Sequence, residues 1–298
     1  MISAYRSRGM NISRILVLLK IPGSTFYFSP PTVHTESGRK RSSVTEKITA
    51  SGILVLSEQQ LLHDITDLLG REFVCYGYKK VTKYLQRSGY LINRKKVFCI
   101  MKENRILNYT YNYRSPAKRV VESIVHVNAP NEVWEMDIKY IYIHGENRTA
   151  YLFAIIDCFT REVVAKYLGH HCTSSDVRRA MDFAFMDRGI NAISKVRIRS
   201  DNGTQFVSRI VELFLSSSNI AHERIHPATP KEDAHIESFN SILEKEVIRR
   251  FEFSSFEDAE STIDRFIAFY NNERLHSAMD CKAPREVYER WKEKLIEG

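Results

Sequence analysis

The sequence predicts an α/β protein, with a mixed-sheet core over residues 125–298 preceded by small all-helical segments. Three observations lead to that class. Strand-like runs follow one another between Val133 and Gly169. Helix-like and strand-like runs then alternate as far as the helix around Glu237. Ahead of the core, residues 57–115 show only helical periodicity.

Taken in order, residues 1–28 contain ISRILVLLK with helical spacing and a short STFYF element after Pro22-Gly23. That pattern fits part of a helix-turn-helix. Residues 29–56 are polar, basic and poor in large apolar side chains through most of their length, and read as a linker. SEQQLLHDITDLLG opens the next block as a helix, with Ser57 and Gln60 spaced as a capping box. YGYKKVTKYLQRSG is a second helix ended by Gly89. INRKKVFCIMKE is a third, with Asn93 as its cap and Val97, Ile100 and Met101 as its apolar stripe. Three short helices with a basic third one fit a helix-turn-helix-like DNA-binding unit over residues 57–115. Lys79, Lys80, Arg94, Lys95, Lys96, Lys102 and Arg105 are its candidate phosphate contacts.

In the core, Val133–Ile143 alternates. Trp134, Met136, Ile138, Tyr140 and Tyr142 fall on one face and Glu135, Asp137 and Lys139 on the other. AYLFAIIDCFT is a near-continuous apolar strand, and EVVAKYLG is its hairpin partner beyond Thr160-Arg161. SSDVRRAMDFAFMDRG is a helix ending at Gly189, and KVRIRS a fourth strand. SRIVELFLSSSN is a helix, AHERIH a fifth strand, and the helix carrying Glu237 closes the series. The order βββαβαβα describes a sheet flanked by helices.

Composition narrows the function classes. The chain has 298 residues, 43% hydrophobic and 27% charged, which is ordinary for a water-soluble protein of two or three domains. No run of eighteen uncharged apolar residues is present, and the N-terminus lacks a signal-peptide h-region, so the expected location is the cytoplasm. Five cysteines without a C-x-x-C pair read as reduced thiols. Residues 1–120 hold 21 Lys and Arg against 7 acidic residues, while residues 121–298 hold 23 against 29. A basic front half supplies sequence-independent attraction to phosphate.

Three acids carry the candidate chemistry: Asp137 in a strand, Asp201 at a strand exit before Asn202-Gly203, and Glu237 on a helix. Carboxylates on three elements can converge on one site. Their oxygens suit Mg²⁺ or Mn²⁺, and two such ions held by shared acids can drive in-line phosphoryl transfer.

The motifs around these acids carry a resemblance. WEMDIKYI, AIIDCFTREVVA, RSDNGTQFVS and HIESFNSILEKE resemble the catalytic core shared by retroviral-type integrases and bacterial DDE transposases. YGYKKVTKYLQRSGYLINRKKVFCIMKEN and FIAFYNNERLHSAMDCKAPREVYERW extend the likeness over nearly the whole chain, to the second-frame product of IS-three family insertion-sequence transposases. The resemblance implies an RNase H-like fold and Mg²⁺-dependent (or Mn²⁺-dependent) cleavage at element ends. It further implies transfer of a 3′-hydroxyl onto target DNA, which makes DNA integration and recombination the activity. Asp137, Asp201 and Glu237 would be the catalytic and metal-holding residues, with Asp137 shared between two ions. The implied partners are double-stranded DNA (terminal inverted repeats and target), further copies of the chain on that DNA, and an upstream-frame protein as partner or fusion. The bacterial nucleoid is the implied place of work.

One position departs from the family pattern. Members often carry a Lys two turns after the Glu; here that position is Glu244, with Lys245 beside it. One residue rotates a side chain by about 100°. Lys245 and Lys231 are the candidate DNA contacts near the Glu237 helix, and His226 is another neighbour. Asp157 reads as a strand-end residue. His170-His171-Cys172 lacks the partner spacing of a zinc site. Two rival classes are a DNA binder with an inactive core and an RNase H-type nuclease that does not join ends.

Overall fold

The computed structural model describes residues 2, 6, 11–22, 26–27, 41–108, 127–191, 193–224 and 234–297. Two compact units result, Met1–Ser42 and Ser43–Gly298. In the first, helix α1 (Ile12–Leu18) is capped by Asn11, whose side chain accepts from the Ser13 amide, and it buries Ile15 and Leu16. Most of the STFYF element lies outside the described residues.

The second unit corrects the linker assignment. Val44–Thr49 (β1) and Gly52–Ser57 (β2) form an antiparallel hairpin inside the stretch read as linker. Its inner face turns Thr45 and Leu56, which are paired, onto the helices that follow. These are α2 (Glu58–Gly70), α3 (Tyr78–Arg87) and α4 (Arg94–Glu103). The Ser57/Gln60 capping box forms, and Asn93 caps α4 by accepting from the Lys96 amide at 2.9 Å. Leu61, Ile65, Leu68, Val81, Leu85, Val97, Ile100 and Met101 make one buried cluster.

The core runs β3 (Val133–Ile143), β4 (Arg148–Asp157), β5 (Val163–Gly169), α5 (Ser174–Arg188), β6 (Arg197–Ser200), α6 (Arg209–Ser217), β7 (Ala221–Arg224) and α7 (Ala234–Leu243). The expected βββαβαβα order is therefore realised. After α7 come a π-helical turn (Glu244–Ile248), α8 (Phe256–Asn272) and α9 (Pro284–Glu297). Five strands form one sheet in the order β5-β4-β3-β6-β7, with β5, β4 and β3 antiparallel and β3, β6 and β7 parallel.

Helices cover both faces. Trp134, Met136, Phe153 and Ile198 pack with Val177, Met181 and Val211 of α5 and α6. Ile141, Ile143, Leu152 and Ile156 pack with Ile236, Phe239 and Phe266 of α7 and α8. A strand face that alternates polar and apolar in sequence is thus buried on both sides.

The helical block is fastened to the C-terminal helices. The Tyr76 hydroxyl accepts from the Leu275 amide at 2.9 Å, Arg265 pairs with Glu72, and Arg87 pairs with Glu286 at 2.7 Å. Beneath this joint Arg274 grips Glu246 of the π-helical turn through two hydrogen bonds, 2.6 and 2.8 Å, with both side chains buried. Removing one member of such a pair would strand a buried charge.

Candidate active site

The parallel ladder between β3 and β6 pairs Val133 with Arg197, Trp134 with Ile198 and Glu135 with Arg199. Continued by two residues, the same register sets Asp201 level with Asp137 on the neighbouring strand. Adjacent strands lie about 4.8 Å apart, and residues in register share a face. Burial raises the Asp137 carboxyl above its usual range, and the negative charge of Asp201 adds to that rise. The two acids that sequence analysis selected are therefore electrostatic neighbours.

Asp201 is exposed and its carboxylate is oriented locally. Its Oδ1 accepts from the Gly203 amide at 2.8 Å, an Asx-type turn. A Cβ on residue 203 would sit 2.9 Å from that same oxygen, so the tight turn favours glycine there. Ser200 holds the strand end by donating to the Asp201 carbonyl.

Glu237 is placed by the way α7 lies along β3. The buried Glu135 carboxylate accepts from the backbone amides of His235 (3.0 Å) and Ile236 (2.8 Å), so a strand residue caps the start of the helix. Two strand residues further, Asp137 accepts from Asn240 Nδ2 at 2.7 Å. Two further again, Lys139 pairs with Glu244 at 3.1 Å. Four strand residues rise about 13 Å and nine helical residues about 13.5 Å. That match lets every residue of the polar β3 face meet a partner on α7 and its continuation. Glu237 lies between the first and second fastenings, exposed, one turn ahead of Asn240.

Charge at the far end of this seam answers the departure noted in sequence. Glu244, the position expected from the resemblance to carry a Lys, pairs with Lys139 of β3. Burial pushes Glu244 upward, but hydrogen bonds from Lys139 and Arg249 outweigh it and hold the carboxyl below its usual range. Lys245 is exposed. It sits in the π-helical turn, where the Arg249 amide reaches back five residues to the Glu244 carbonyl. A turn with five-residue closure holds more residues than an α-turn, so its side chains lag in rotation.

Around Glu135 the structure gathers a second group. Among the described residues, Glu135, Cys158 and His235 are the three potential metal ligands whose atoms all lie within 4.8 Å of one another; the three predicted acids form no such group. The donor sets differ in kind. Glu135 is occupied by the two α7 amides and by the Cys158 thiol, and Arg161 stands close enough to bear on all three groups. Burial, then Arg161, lowers His235 to about 4. Arg161 supplies positive charge near this group, and with Glu135 holding two α7 amides the set reads as a helix anchor. Asp137 and Asp201 instead offer oxygen donors whose mutual repulsion a divalent cation would relieve, which fits Mg²⁺ or Mn²⁺.

Several predicted residues take other roles. Asp157 is buried and accepts from the amides of Asn131, Phe159 and Thr160, which makes it the strand-end turn residue that its position suggested. His170 lies 3.7 Å from Glu146 and against Phe256, while Cys172 joins the core. In the helical block, Lys79, Arg94, Lys95, Lys102 and Arg105 are exposed. Two of the predicted phosphate contacts point elsewhere. Lys80 lies over the Tyr76 ring, where burial, then Arg274, lowers its ammonium to about 8. Lys96 donates to the Val44 carbonyl of β1 at 2.6 Å. Lys231 and His226 fall outside the described residues.

Sequence reasoning missed Glu135, Lys139 and Asn240 as working parts of the site. A signal existed for each: Glu135 and Lys139 share the strand face of Asp137, and Asn240 lies one turn beyond Glu237.

Comparison with known proteins agrees with this architecture. Integrase core domains match residues 127–230 and 218–284, and an HTH-like domain matches residues 57–113. The chain carries an integrase core and an HTH-like domain, and the proteins it is similar to include transposases of insertion sequences. It is 25% identical to InsK of insertion sequence element IS150 from Escherichia coli over 284 residues, 92% of each chain. The transposase for IS904 of Lactococcus lactis is 28% identical over 71% of this chain and 86% of its own. InsF, the transposase for IS3A of Escherichia coli, is 24% identical over 71% and 76%. The α/β core is RNase H-like, and it follows the HTH-like domain in the chain. Among the described residues no helix is long and apolar enough to cross a membrane.

Proposed function

We propose that this integrase core cleaves DNA strands at insertion-sequence ends and joins the resulting 3′-hydroxyl to target DNA. One observation supports the reading: the β3–β6 register, continued two residues beyond its last pair, sets Asp201 level with Asp137, and Glu135 and Asn240 fasten the helix bearing Glu237 to β3.

Asp137, Asp201 and Glu237 are the residues that would hold two Mg²⁺ or Mn²⁺ ions, with Asp137 shared. When bound, the ions lower the pKa of the attacking hydroxyl and stabilise the leaving oxygen. The protein's own share is positional. Asn240 and the Ile138 amide hold one Asp137 oxygen each, at 2.7 Å, so the carboxylate is oriented before any ligand arrives. Gly203 does the same for Asp201. Glu135 anchors the first turn of α7 and so sets where Glu237 sits. The exposed cations Lys79, Arg94, Lys95, Lys102 and Arg105 suit the DNA backbone ahead of the core, and Lys245 suits phosphate beside the site. Lys231 belongs to the same group on sequence grounds. An upstream-frame protein, as partner or fusion, and further copies of the chain on DNA complete the reading.

The test is an in vitro reaction with duplex DNA carrying the ends of the element that encodes this chain, with Mg²⁺ and with chelator. Joined products that need the metal are expected. Cleavage confined to the RNA of a hybrid would assign a nuclease instead, and a mobility shift without any cleavage would assign a binding protein.

A further inference from the structure

The hairpin ahead of the HTH-like helices has two edges with opposite fates. The outer edge of β1 is closed: the Ile48 amide donates to the Gly89 carbonyl, the Leu91 amide donates to the Glu46 carbonyl, and Lys47 bridges Tyr90. Gly89 makes that closure possible. It has φ 89°, and a Cβ there would lie 2.4 Å from the Ile48 carbonyl oxygen. The chain has thus been shaped to seal one side of a two-stranded sheet. Along the other side, among the described residues, β2 pairs with no further strand.

That open edge is apolar. Ile53, Leu54 and Val55 are 67%, 50% and 58% exposed, and Ile48 stands across from Ile53 on the outer face. An uncovered edge of this kind is a template for pairing, which sheets normally blunt with charge, proline or a bulge. Gly52–Ser57 has none of these: GILVLS carries no charged residue and no proline, and its register with β1 is unbroken. A hairpin edge that served to contact DNA backbone would be expected to carry cations, and Gly52–Ser57 carries none.

We propose that the open edge of β2 pairs antiparallel with the same edge of a second copy of this chain, making a continuous four-stranded sheet across two molecules. The strand is complementary to itself. A two-fold axis through Leu54 sets Leu54 opposite its counterpart and Ile53 opposite Val55, so aliphatic side chains meet on both faces. No charge faces a like charge along the paired strands, because they hold no charge. An acidic or basic partner segment would find no complement there. Six residues make a small interface, so pairing is weak in free solution. It strengthens when two copies are held close together on one DNA. Pairing of this kind is independent of the strand-transfer chemistry and is read without DNA.

The test uses the full chain in analytical ultracentrifugation up to about 100 μM, a range in which weak interfaces populate. Wild type should shift from monomer to dimer with rising concentration, and Val55→Lys should remain monomeric with an unchanged melting temperature. Leu54→Cys should form a disulfide-linked dimer under mild oxidation, under conditions where the wild-type chain, with its own five cysteines, does not. A monomeric wild type that Leu54→Cys fails to cross-link would overturn the proposal. So would a dimer that Val55→Lys leaves intact, or a monomer whose DNA mobility shift is lost in Val55→Lys.

Discussion

The β3–α7 seam and helix α4 handle charge in opposite ways. Along the seam, Glu135, Asp137 and Lys139 each have a protein partner on α7 or on the turn that continues it. On α4, Arg94, Lys95 and Lys102 face water. The acids are oriented before anything binds, as a site for developing charge requires. The cations keep their rotamer freedom and gain order only against a ligand. On the function proposed here, the contrast separates chemistry from capture, and each half can be broken without the other.

The largest effect is expected at the predicted acids. Asp137→Asn, Asp201→Asn and Glu237→Gln should each reduce strand cleavage by on the order of 10³-fold or more, since each removes a charge the reaction needs. End binding, followed by mobility shift, should stay within a few-fold of wild type. Near-normal cleavage by any one of the three variants would remove that residue from the site.

A smaller loss is expected one step away from the chemistry. Glu135→Ala leaves two α7 amides without their buried acceptor, at a cost of about 2 kcal/mol in stability. Thermal unfolding should report that cost, and cleavage should fall while DNA binding holds. Equal losses of binding and cleavage would mean that Glu135 supports the whole fold rather than α7.

The smallest effect is expected on α4. Lys95→Ala with Lys102→Ala should weaken DNA binding a few-fold and flatten its salt dependence by about 0.9 for each phosphate left without its cation. Cleavage at saturating DNA should be unchanged. A salt slope identical to wild type would take these two residues off the DNA.

The same contrast explains what could be read in the sequence. The order of strands and helices in the core was legible because each element carries its own periodicity. Asp137, Asp201 and Glu237 were singled out because their surrounding motifs are local. Glu135, Lys139 and Asn240 were not, because their roles arise only when α7 is laid along β3, a contact across about a hundred residues of sequence. Lys80 misled for a related reason. It sits in a basic run, YKKVTK, yet its helix turns it toward Tyr76 and Arg274. The hairpin at Val44–Ser57 escaped because Ile53, Leu54 and Val55 are all exposed, so the alternation that marks a half-buried strand is missing.

The buried pair of Arg274 and Glu246 has a geometric consequence. Glu246 belongs to the turn that continues α7, and the next residue after Arg274 donates its amide to Tyr76 at the edge of the HTH-like domain. The helix bearing Glu237 and the domain bearing α4 are thus tied through one short run of chain. On the function proposed here, that tie works as a ruler, fixing how far along a bound duplex the three acids can reach. Lengthening the DNA between the recognised sequence and the element end by a few base pairs would ask the protein to stretch at a joint made of a buried ion pair.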